Sequence, residues 1–397
     1  MEQRFTVLDS WRGIAACLVA LFHLDAYSHL YDVPFLRNAW LFVDFFFVLS
    51  GFIIAANYEK RLLEGYGTGR FLLLRLGRLY PLHFTMLMLF ILFELLKGLG
   101  RTVVSGSALA DSIAPFGTEM EGPSTIFANL FLVHSLHLFR FLTWNHPSWS
   151  ISTELYTYII FAVCLLGLRK RAGIALAAAL VGGPVLVAAL SDKYMDTNCD
   201  WGIIRCFYGF AAGVMVWHLY KNADKSRNWL CSTAVANIVE WVALALVILF
   251  VSLANNTTVL SIAAPLVFAL VVLVFAFEKG AVSGMLQARP LLFLGTVSYS
   301  IYMTHVFVAQ RLFDAVNAFG RFSRINPFMH RDIAGYDAYF LGTRLWHGDV
   351  AYVGYIALVI VTSSLTYRWI EKPAREWVRM RVRRGWPPLR PRELPSV

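Results

Sequence analysis

The chain has 397 residues, of which 58% are hydrophobic and only 15% are charged, and its mean hydropathy is +0.59. A water-soluble globular domain of this size does not show such a composition, so the sequence indicates an integral membrane protein without a large soluble domain. The formal net charge of +10 is compatible with nucleic-acid binding. In a membrane protein, however, basic cytoplasmic loops explain it first, so we expect membrane lipid and no nucleic acid among its partners.

Apolar segments recur along nearly the whole chain, each long enough, at about 18–22 residues, to cross about 30 Å of hydrocarbon as a helix. We therefore predict an all-α polytopic bundle of ten membrane-spanning helices. The predicted spans are residues 8–24, 40–57, 76–96, 149–168, 172–190, 201–220, 235–254, 258–277, 291–310 and 350–370. Asp9 and Arg12 interrupt the first apolar run, so we expect it to remain as a helix and not to be removed as a signal peptide.

Residues 125–143 are also apolar enough to form a crossing. Counting them as an eleventh span would reverse the sidedness of every later loop and would put the basic loops outside. We therefore predict that this stretch is an interfacial or re-entrant segment.

The charges between the predicted spans alternate along the chain. With the N-terminus inside, the cytoplasmic connections are all net basic, at residues 58–75, 169–171, 221–230 and 278–290 and in the C-terminal segment. The short connections on the other side have no excess of Lys or Arg, and the long connection 311–349 is predicted as a loop of mixed charge. Both termini are therefore predicted to be cytoplasmic. We divide the chain into a transmembrane domain, residues 1–375, and a basic cytoplasmic tail, residues 376–397.

Arg12 and His23 lie on the first span, and no other charged residue lies between Trp11 and Leu24. Eleven residues at about 100° each return nearly to the same helix face, so one face carries both side chains. Burying an arginine at membrane depth costs about 2.5–3.5 kcal/mol, so such a pair predicts a polar cavity used in chemistry or transport. The two positions are about 16 Å apart along the helix axis and cannot contact the same small group.

Four ionisable residues are predicted to share one depth near the outer surface, namely His23, Asp44, Glu154 and His305. Each alone could be a satisfied packing residue, but their convergence favours a site. An imidazole exchanges protons near neutral pH, so His23 is the candidate acid or base, and Asp44 is the candidate carboxylate that fixes its tautomer. The alternative for Asp44 is a helix-start residue at the membrane interface.

At the predicted cytoplasmic side, Arg75 and Arg78 are three residues apart and share a helix face. Two guanidinium groups can bind phosphate in bidentate fashion, whereas the alternative is that they anchor the helix against lipid headgroups. Glu371 ends the last span at a similar depth. It is either an orienting partner for one arginine or a helix-terminus charge.

The cysteines are scattered through apolar segments without the spacing of metal ligands, and their odd number argues against a disulfide framework. They are Cys17, Cys164, Cys199, Cys206 and Cys231. We expect no metal site and treat them as packing residues.

Six motifs, in this order along essentially the whole chain, resemble those of the membrane acyltransferase-3 family, which includes exopolysaccharide and lipopolysaccharide O-acetylases. The motifs are LDSWRGIAACLVALFH, VDFFFVLSGF, RLGRLYP, PSWSISTELYTY, SYSIYMTH and EKPAR. Each alone is weakly specific, but the six together are highly specific. Met303 stands where the family more often has Leu, which is a conservative change. The resemblance implies a multi-pass protein of the bacterial cytoplasmic (inner) membrane.

The resemblance also implies transfer of an acyl group, usually acetyl, from cytoplasmic acyl-CoA to a hydroxyl of a cell-surface or lipid-linked polysaccharide. It implies that Arg12 and His23 are essential. We expect Arg75 and Arg78, together with Glu371, to bind the acyl-CoA, and Arg12 to guide its pantetheine arm or thioester. Acetyl-CoA is expected as the acyl donor.

Two sets of residues complete the predicted site. Catalysis is assigned to Arg12, His23, Asp44 and Glu154. Substrate binding is assigned to Trp149, Tyr156 and His305. Ser50 lies in the middle of a predicted span, where a packing role is expected.

Several alternatives stay open at this point. His23 either deprotonates the acceptor hydroxyl or transiently carries the acyl group itself. A proton-coupled secondary transporter of a glycan or small anionic solute is the competing class, since intramembrane His, Glu and Asp also form proton relays, although no inverted repeat is detected. Many family members carry a C-terminal secreted hydrolase-like domain. This chain stops soon after the last span, so any second step is expected to be absent or supplied by another protein. The oligomeric state is open.

Overall fold

The computed structural model describes residues 3–103, 116, 118–226, 233–333 and 336–385. Parts of the connections 97–148 and 221–230 and residues 386–397 of the predicted tail lie outside the described residues. The helices are α1 (Thr6–Phe22), α2 (Pro34–Arg37), α3 (Phe42–Ile54), α4 (Lys60–Leu63), α5 (Thr68–Val103), α6 (Pro123–Leu130), α7 (Ser148–Leu168), α8 (Ala172–Leu190), α9 (Gly202–Ser226), α10 (Thr233–Leu253), α11 (Ala264–Ala276), α12 (Ala281–Leu286), α13 (Arg289–Ser323), α14 (Leu345–Thr366) and α15 (Lys372–Arg383).

The predicted all-α membrane bundle is confirmed. Within the described ranges, nine helical segments are long and apolar enough to cross a membrane. The remaining predicted span, the first along the chain, is α1, whose 17 residues rise about 25 Å. It has both faces covered, because it packs against α13, α3 and α11. We call the end of the bundle with Thr6, Lys60 and Lys372 the basic end, and the opposite end the hairpin end.

The segment 125–143 does not cross the bundle. Its helix α6 has eight residues, which rise only about 12 Å, and residues 131–147 follow without a further helix. The prediction that this stretch is not a span is therefore confirmed. The segment enters the bundle between α5 and α7, where Leu130 O accepts a hydrogen bond from Tyr80 at 3.0 Å and Asn129 O lies 2.9 Å from Nε2 of His83.

A β-hairpin gives the hairpin end its name and was not predicted. Its strands are β1 (Phe328–Ile333) and β2 (Tyr336–Leu341), paired antiparallel. The hairpin is tied to the segment that follows α1, because Tyr27 donates its backbone N–H to Leu341 O at 2.9 Å and Leu341 donates to Asp25 O at 3.0 Å. The connection 311–349 is therefore a helix extension and a hairpin, not a loop.

Helices α1 and α13 run side by side in the same direction. Gly13 and Gly295 face each other so closely that a Cβ atom on Gly13 would lie 2.5 Å from the backbone N of Gly295. Small residues allow membrane helices to approach in this way. Ten residues further along both helices, in the same register, His23 meets His305. The close approach of the two helices at Gly13 and Gly295 therefore brings His23 and His305 together at the hairpin end.

Helix α15 follows α14 at the basic end and packs against α5. Its residues Val378 and Val382 are buried, whereas Trp377 and Met380 are exposed. The boundary that the sequence analysis drew after residue 375 falls inside this helix. Residues 376–383 are therefore a helix packed on the bundle.

Candidate active site

Two cavities occupy the centre of the bundle, one above the other. The first, which we call the arginine cavity, lies between α1, α3, α5, α7 and α13. Its polar lining is Arg12, Ser50, Arg75, Arg78, Ser150, Glu154, Tyr158, Ser298, Tyr299 and Tyr302. The second, which we call the histidine chamber, lies at the hairpin end. Its polar and aromatic lining includes His23, Arg37, Asn38, Trp40, His146, Trp149, Asp196, Asn198, Arg205, Asn256 and Tyr302.

The arginine cavity brings together the three arginines that the sequence analysis selected for donor binding. Arg12 is fixed by α13, since its Nε donates to Ser298 Oγ at 2.8 Å and its Nη2 donates to Gly295 O at 2.9 Å. Arg75 and Arg78 lie one turn apart on α5. An anion entering from the basic end therefore meets guanidinium groups from two different helices.

Two of these arginines retain unused donors. Arg75 donates from Nη2 to the hydroxyl of Tyr58 at 3.0 Å, but its buried Nε has no hydrogen-bond partner within the described part of the chain. Arg78 lines the cavity and makes no hydrogen bond or ion pair with any other described residue. Buried donors are normally satisfied, so these positions fit an anionic ligand such as a phosphate group.

Glu154 belongs to the arginine cavity and not to the histidine chamber. Its Oε1 accepts a hydrogen bond from Ser50 Oγ at 2.6 Å and a short one from the Tyr158 hydroxyl. The prediction that four ionisable groups share the depth of His23 is therefore wrong for this residue, which lies about 9 Å further along α7 than Ser148. Ser50, expected to serve in packing, is a polar wall residue of the cavity.

His23 follows the last turn of α1 and lines the histidine chamber. Its Nδ1 lies 2.8 Å from Val19 O and 3.3 Å from Nε2 of His305, whose own Nδ1 lies 3.2 Å from Ile301 O. A carbonyl accepts only, so both histidines must carry their proton on Nδ1. The one proton on His23 Nδ1 is then shared in a three-centre hydrogen bond between Val19 O and Nε2 of His305, and the opposite nitrogen of His23, Nε2, keeps its lone pair.

The lone pair of His23 Nε2 has no hydrogen-bond donor against it in the described ranges, and the ring borders open space. An imidazole in this tautomer can accept a proton or attack a carbonyl carbon through Nε2. His305, predicted to bind substrate, is fully buried and does not line the chamber. It orients His23 instead.

Asp44 does not contact His23, so its predicted role as the carboxylate partner is wrong. Both of its oxygens accept from Arg205, at 2.9 Å from Nε and 2.8 Å from Nη2, and both side chains are buried. The Arg205 guanidinium also lies 5.3 Å from the ring of Trp40 and 5.2 Å from the ring of Trp149. Asp44 is therefore the buried counter-charge of Arg205 and not a partner of His23.

The walls of the histidine chamber combine flat aromatic faces with hydrogen-bonding groups. Trp149 lines it, as the prediction of substrate binding requires, and Trp40 lies across Arg205 from it. Asn256 donates to Asp196 at 3.0 Å, and Arg37 packs against the ring of Tyr31 at 4.1 Å. Aromatic faces beside amide and carboxylate groups suit a polyhydroxylated ligand.

Like Asp44 and His305, the predicted site residues Tyr156 and Glu371 line neither cavity. Tyr156 points away from them, and its hydroxyl lies 3.5 Å from Phe131 O. Glu154 and Tyr158 are four residues apart and share one face of α7, whereas Tyr156 falls on another face. Glu371 accepts a hydrogen bond from Ser300 at 2.8 Å and lies 4.0 Å from Arg375, so it supports the wall behind the arginines.

Comparison with known proteins decides the family. A family model described as "Acyltransferase domain" matches residues 5–368, which is nearly the whole chain. The chain belongs to the acyltransferase-3 family. A curated protein from Rhizobium radiobacter, "Protein 2 in picA locus", is 32% identical over 173 residues, which cover 40% of this chain and 82% of that protein. No solved structure matches this acyltransferase.

Several residues of the acyltransferase site were missed by the sequence analysis. Tyr158 could have been found from Glu154, because residues four apart share a helix face. Arg205 could have been found by the reasoning applied to Arg12, since it is a lone charge in an apolar span. His146 and Asp196 come from loops, where spacing carries no comparable signal.

Proposed function

We propose that this membrane acyltransferase moves an acyl group, most simply acetyl, from cytoplasmic acyl-CoA to a hydroxyl of a cell-surface or lipid-linked polysaccharide, in the bacterial inner membrane. One observation carries the proposal. A cavity with three arginines and a chamber with an available imidazole nitrogen lie end to end along the same two helices, α1 and α13. Such a pair of compartments suits a polyanionic donor on one side and a neutral, hydroxyl-bearing acceptor on the other.

The arginine cavity is the proposed donor site. The phosphates of the donor would take the unused donors of Arg75 and Arg78, and Arg12 would lie further along the arm toward the thioester. Arginine suits this task because its planar fork binds phosphate oxygens in pairs. Ser50 and Tyr158 both donate to Oε1 of Glu154, and Glu154 makes no ion pair with an arginine among the residues that the structure describes.

The histidine chamber is the proposed acceptor site. The acceptor sugar would pack on Trp149 and bond to the amide and carboxylate groups of the loops. His23 Nε2 then removes the proton from the attacking hydroxyl, a contribution of about 10²–10⁴ in rate. As the new C–O ester bond forms, the C–S bond breaks, and the proton passes from His23 to the departing thiolate. The products are the ester and free CoA thiol.

A covalent route uses the same nitrogen. His23 Nε2 attacks the thioester carbon, the C–S bond breaks, and CoA leaves as the thiol after taking a proton from the acyl-imidazolium. The acceptor oxygen then attacks the acyl carbon, the C–N bond breaks, and the hydroxyl proton returns to the imidazole. Donor and acceptor then bind in turn, and the kinetics are ping-pong.

The test uses the purified full-length protein in lipid nanodiscs with acetyl-CoA radiolabelled in the acetyl group, and a bacterial lipid-linked oligosaccharide as the acceptor probe. We expect release of CoA thiol and label on the glycan, and loss of both with His23→Gln. The matched control is His29→Gln, since His29 is exposed and pairs with Asp349 outside both cavities. Counterflow of unmodified glycan without consumption of acetyl-CoA would overturn the proposal in favour of a carrier.

Mass spectrometry of surface polysaccharide from a deletion strain identifies the acceptor. We expect the loss of a mass corresponding to one acyl substituent per modified unit. An unchanged acylation pattern would contradict a polysaccharide acceptor.

A further inference from the structure

The arginine cavity and the histidine chamber share two wall residues, Val43 and Tyr302. Both are buried, with 5% of their surface exposed. The ring of Tyr302 packs edge to face against Phe46, with centroids 5.5 Å apart, and lies 5.9 Å from the ring of His305. This aromatic wall closes the direct route from the arginines to His23.

The hydroxyl of Tyr302 is fastened to the start of α7. It lies 2.8 Å from Ser150 Oγ and donates to Pro147 O at 3.1 Å. Ser150 faces the arginine cavity and Pro147 faces the histidine chamber, so this hydrogen-bonded latch lies on the boundary between the two. Rotation of the Tyr302 side chain alone would break these contacts.

On α13, Tyr302 also lies between the residue that holds Arg12 and the residue that contacts His23. Ser298, which holds Arg12, is one turn before it, and His305, which holds His23, is one turn after it. Positions i, i+4 and i+7 share a helix face. One face of α13 therefore carries the donor contact, the wall and the histidine contact in order.

We propose that Tyr302 is the partition between donor and acceptor compartments, and that its latch to Ser150 must open before the acyl group can reach His23. The proposal rests on the proposed function, because it assigns the arginine cavity to acyl-CoA and the histidine chamber to the acceptor. With the partition closed, water that fills an empty histidine chamber is kept from the thioester. Tyr302 is thus a positioning residue that favours transfer over hydrolysis.

The first test compares hydrolysis of acetyl-CoA without acceptor in Tyr302→Phe, Ser150→Ala and Tyr302→Ala. Loss of one hydrogen bond raises the open fraction by about tenfold at most, so Ser150→Ala should raise hydrolysis by about three- to tenfold. Tyr302→Phe loses the contacts to both Ser150 and Pro147 O and should raise hydrolysis by at least as much. Tyr302→Ala removes the ring and should raise it further, while the yield of acylated glycan per acetyl-CoA consumed falls. Tyr339→Ala, an exposed tyrosine of the hairpin, is the matched control and should leave both values unchanged.

The second test has no catalytic readout. In the full chain with its cysteines replaced by serine, Ile53→Cys puts a thiol on the wall of the arginine cavity. A membrane-impermeant anionic thiol reagent, added at the hairpin end of sealed vesicles, should not modify this thiol when Tyr302 is present and should modify it with Tyr302→Ala. Asp32→Cys and Lys60→Cys, exposed at the hairpin end and the basic end, report the sidedness of the vesicles.

The outcomes separate this inference from the proposed function. Wild-type protein that releases no CoA thiol would refute the proposed function, and the labelling experiment still reports the partition. Wild-type protein that transfers acetyl while hydrolysis and labelling stay unchanged in Tyr302→Ala would refute the partition alone. Equal labelling of the Ile53→Cys variant with and without Tyr302 would do the same.

Discussion

Nε2 of His305 lies 3.3 Å from Nδ1 of His23 and shares its proton with Val19 O, which lies 2.8 Å away, so a carbonyl and a second imidazole together fix the orientation of His23. The contact joins α1 to α13 at the end where the histidine chamber opens. A second imidazole therefore has the role that the sequence analysis had given to a carboxylate.

Replacing His305 tests this relationship. His305→Phe keeps the ring volume but removes the acceptor, so His23 loses part of the support for its orientation. We expect kcat to fall by about three- to tenfold, as for loss of one orienting hydrogen bond, with KM for acetyl-CoA unchanged. Steady-state kinetics measure the split, and a variant that changes only KM would contradict the orienting role. The double variant with His23→Gln should be no worse than His23→Gln alone.

The arginine pair is tested by acyl-CoA affinity. Arg75→Ala and Arg78→Ala each remove a charge-assisted contact, and each should weaken binding by about tenfold or more. Arg78→Lys should recover only part of this, because an ammonium cannot form the bidentate contact. Titration calorimetry with acetyl-CoA measures the affinity of each variant. Arg61→Ala is the control, since Arg61 packs on Tyr66 outside the cavity. Equal affinity in all variants would remove the donor-site assignment.

Asp44 and Arg205 are expected to support the fold, not the chemistry. Asp44→Asn leaves a buried guanidinium without its counter-charge, at a cost of about 3–5 kcal/mol. The melting temperature in detergent should therefore drop. Asp44→Asn combined with Arg205→Gln should recover part of the loss. The rate per folded molecule should stay near that of the wild type, whereas a fall in this rate at equal folded fraction would restore the catalytic role for Asp44.

The contact of Gly13 with Gly295 is expected to control the histidine pair from ten residues away. Gly13→Ala puts a methyl group against the backbone of α13, so the helices must separate and the distance between His23 and His305 must grow. We expect loss of most transfer activity in protein that still elutes as a folded species. Gly354→Ala on α14 meets no atom within 4 Å and should be neutral. Full activity in Gly13→Ala would show that the register does not depend on this contact.

His146 gives the fold a pH dependence from outside the membrane spans. Burial lowers the pKa of its imidazole, because the charged form loses hydration. In acid the imidazole of His146 is protonated in the unfolded chain but stays neutral in the folded chain. The contribution of His146 to the free energy of unfolding is therefore complete above the ordinary pKa of histidine and is lost as the pH falls below it. We expect the melting temperature to drop less for His146→Gln than for wild type between neutral pH and about pH 5. Equal decreases in the melting temperature of His146→Gln and of the wild type would contradict this prediction.

The helices and the Arg12 and His23 pair could be predicted from the sequence because each depends on local periodicity. Hydropathy gives the spans, and helix geometry alone puts Arg12 and His23 on one face. Partners across the bundle could not be predicted. Asp44 and Arg205 are 161 residues apart, and no local pattern distinguishes this pairing from one with His23.

Depth was the second source of error. Glu154 is only six residues from the start of α7. The histidine chamber lies beside these first residues of α7, so Glu154 is deeper than the chamber and lines the arginine cavity. The sequence carries one signal for the hairpin, namely the aromatic-rich stretch Tyr336–Leu341, which directly follows Ala334 and Gly335.

Much of the histidine chamber is lined from the connections between helices, at Asn38, Leu142, His146, Pro147, Asp196, Asn198 and Asn256, whereas His23 comes from the end of a long helix. If the proposed function holds, recognition and reactivity lie on different parts of the polypeptide. Exchanging those surface connections between relatives would then change which acceptor is bound without replacing His23 or His305, which makes the connections the natural targets for engineering new acylated polymers.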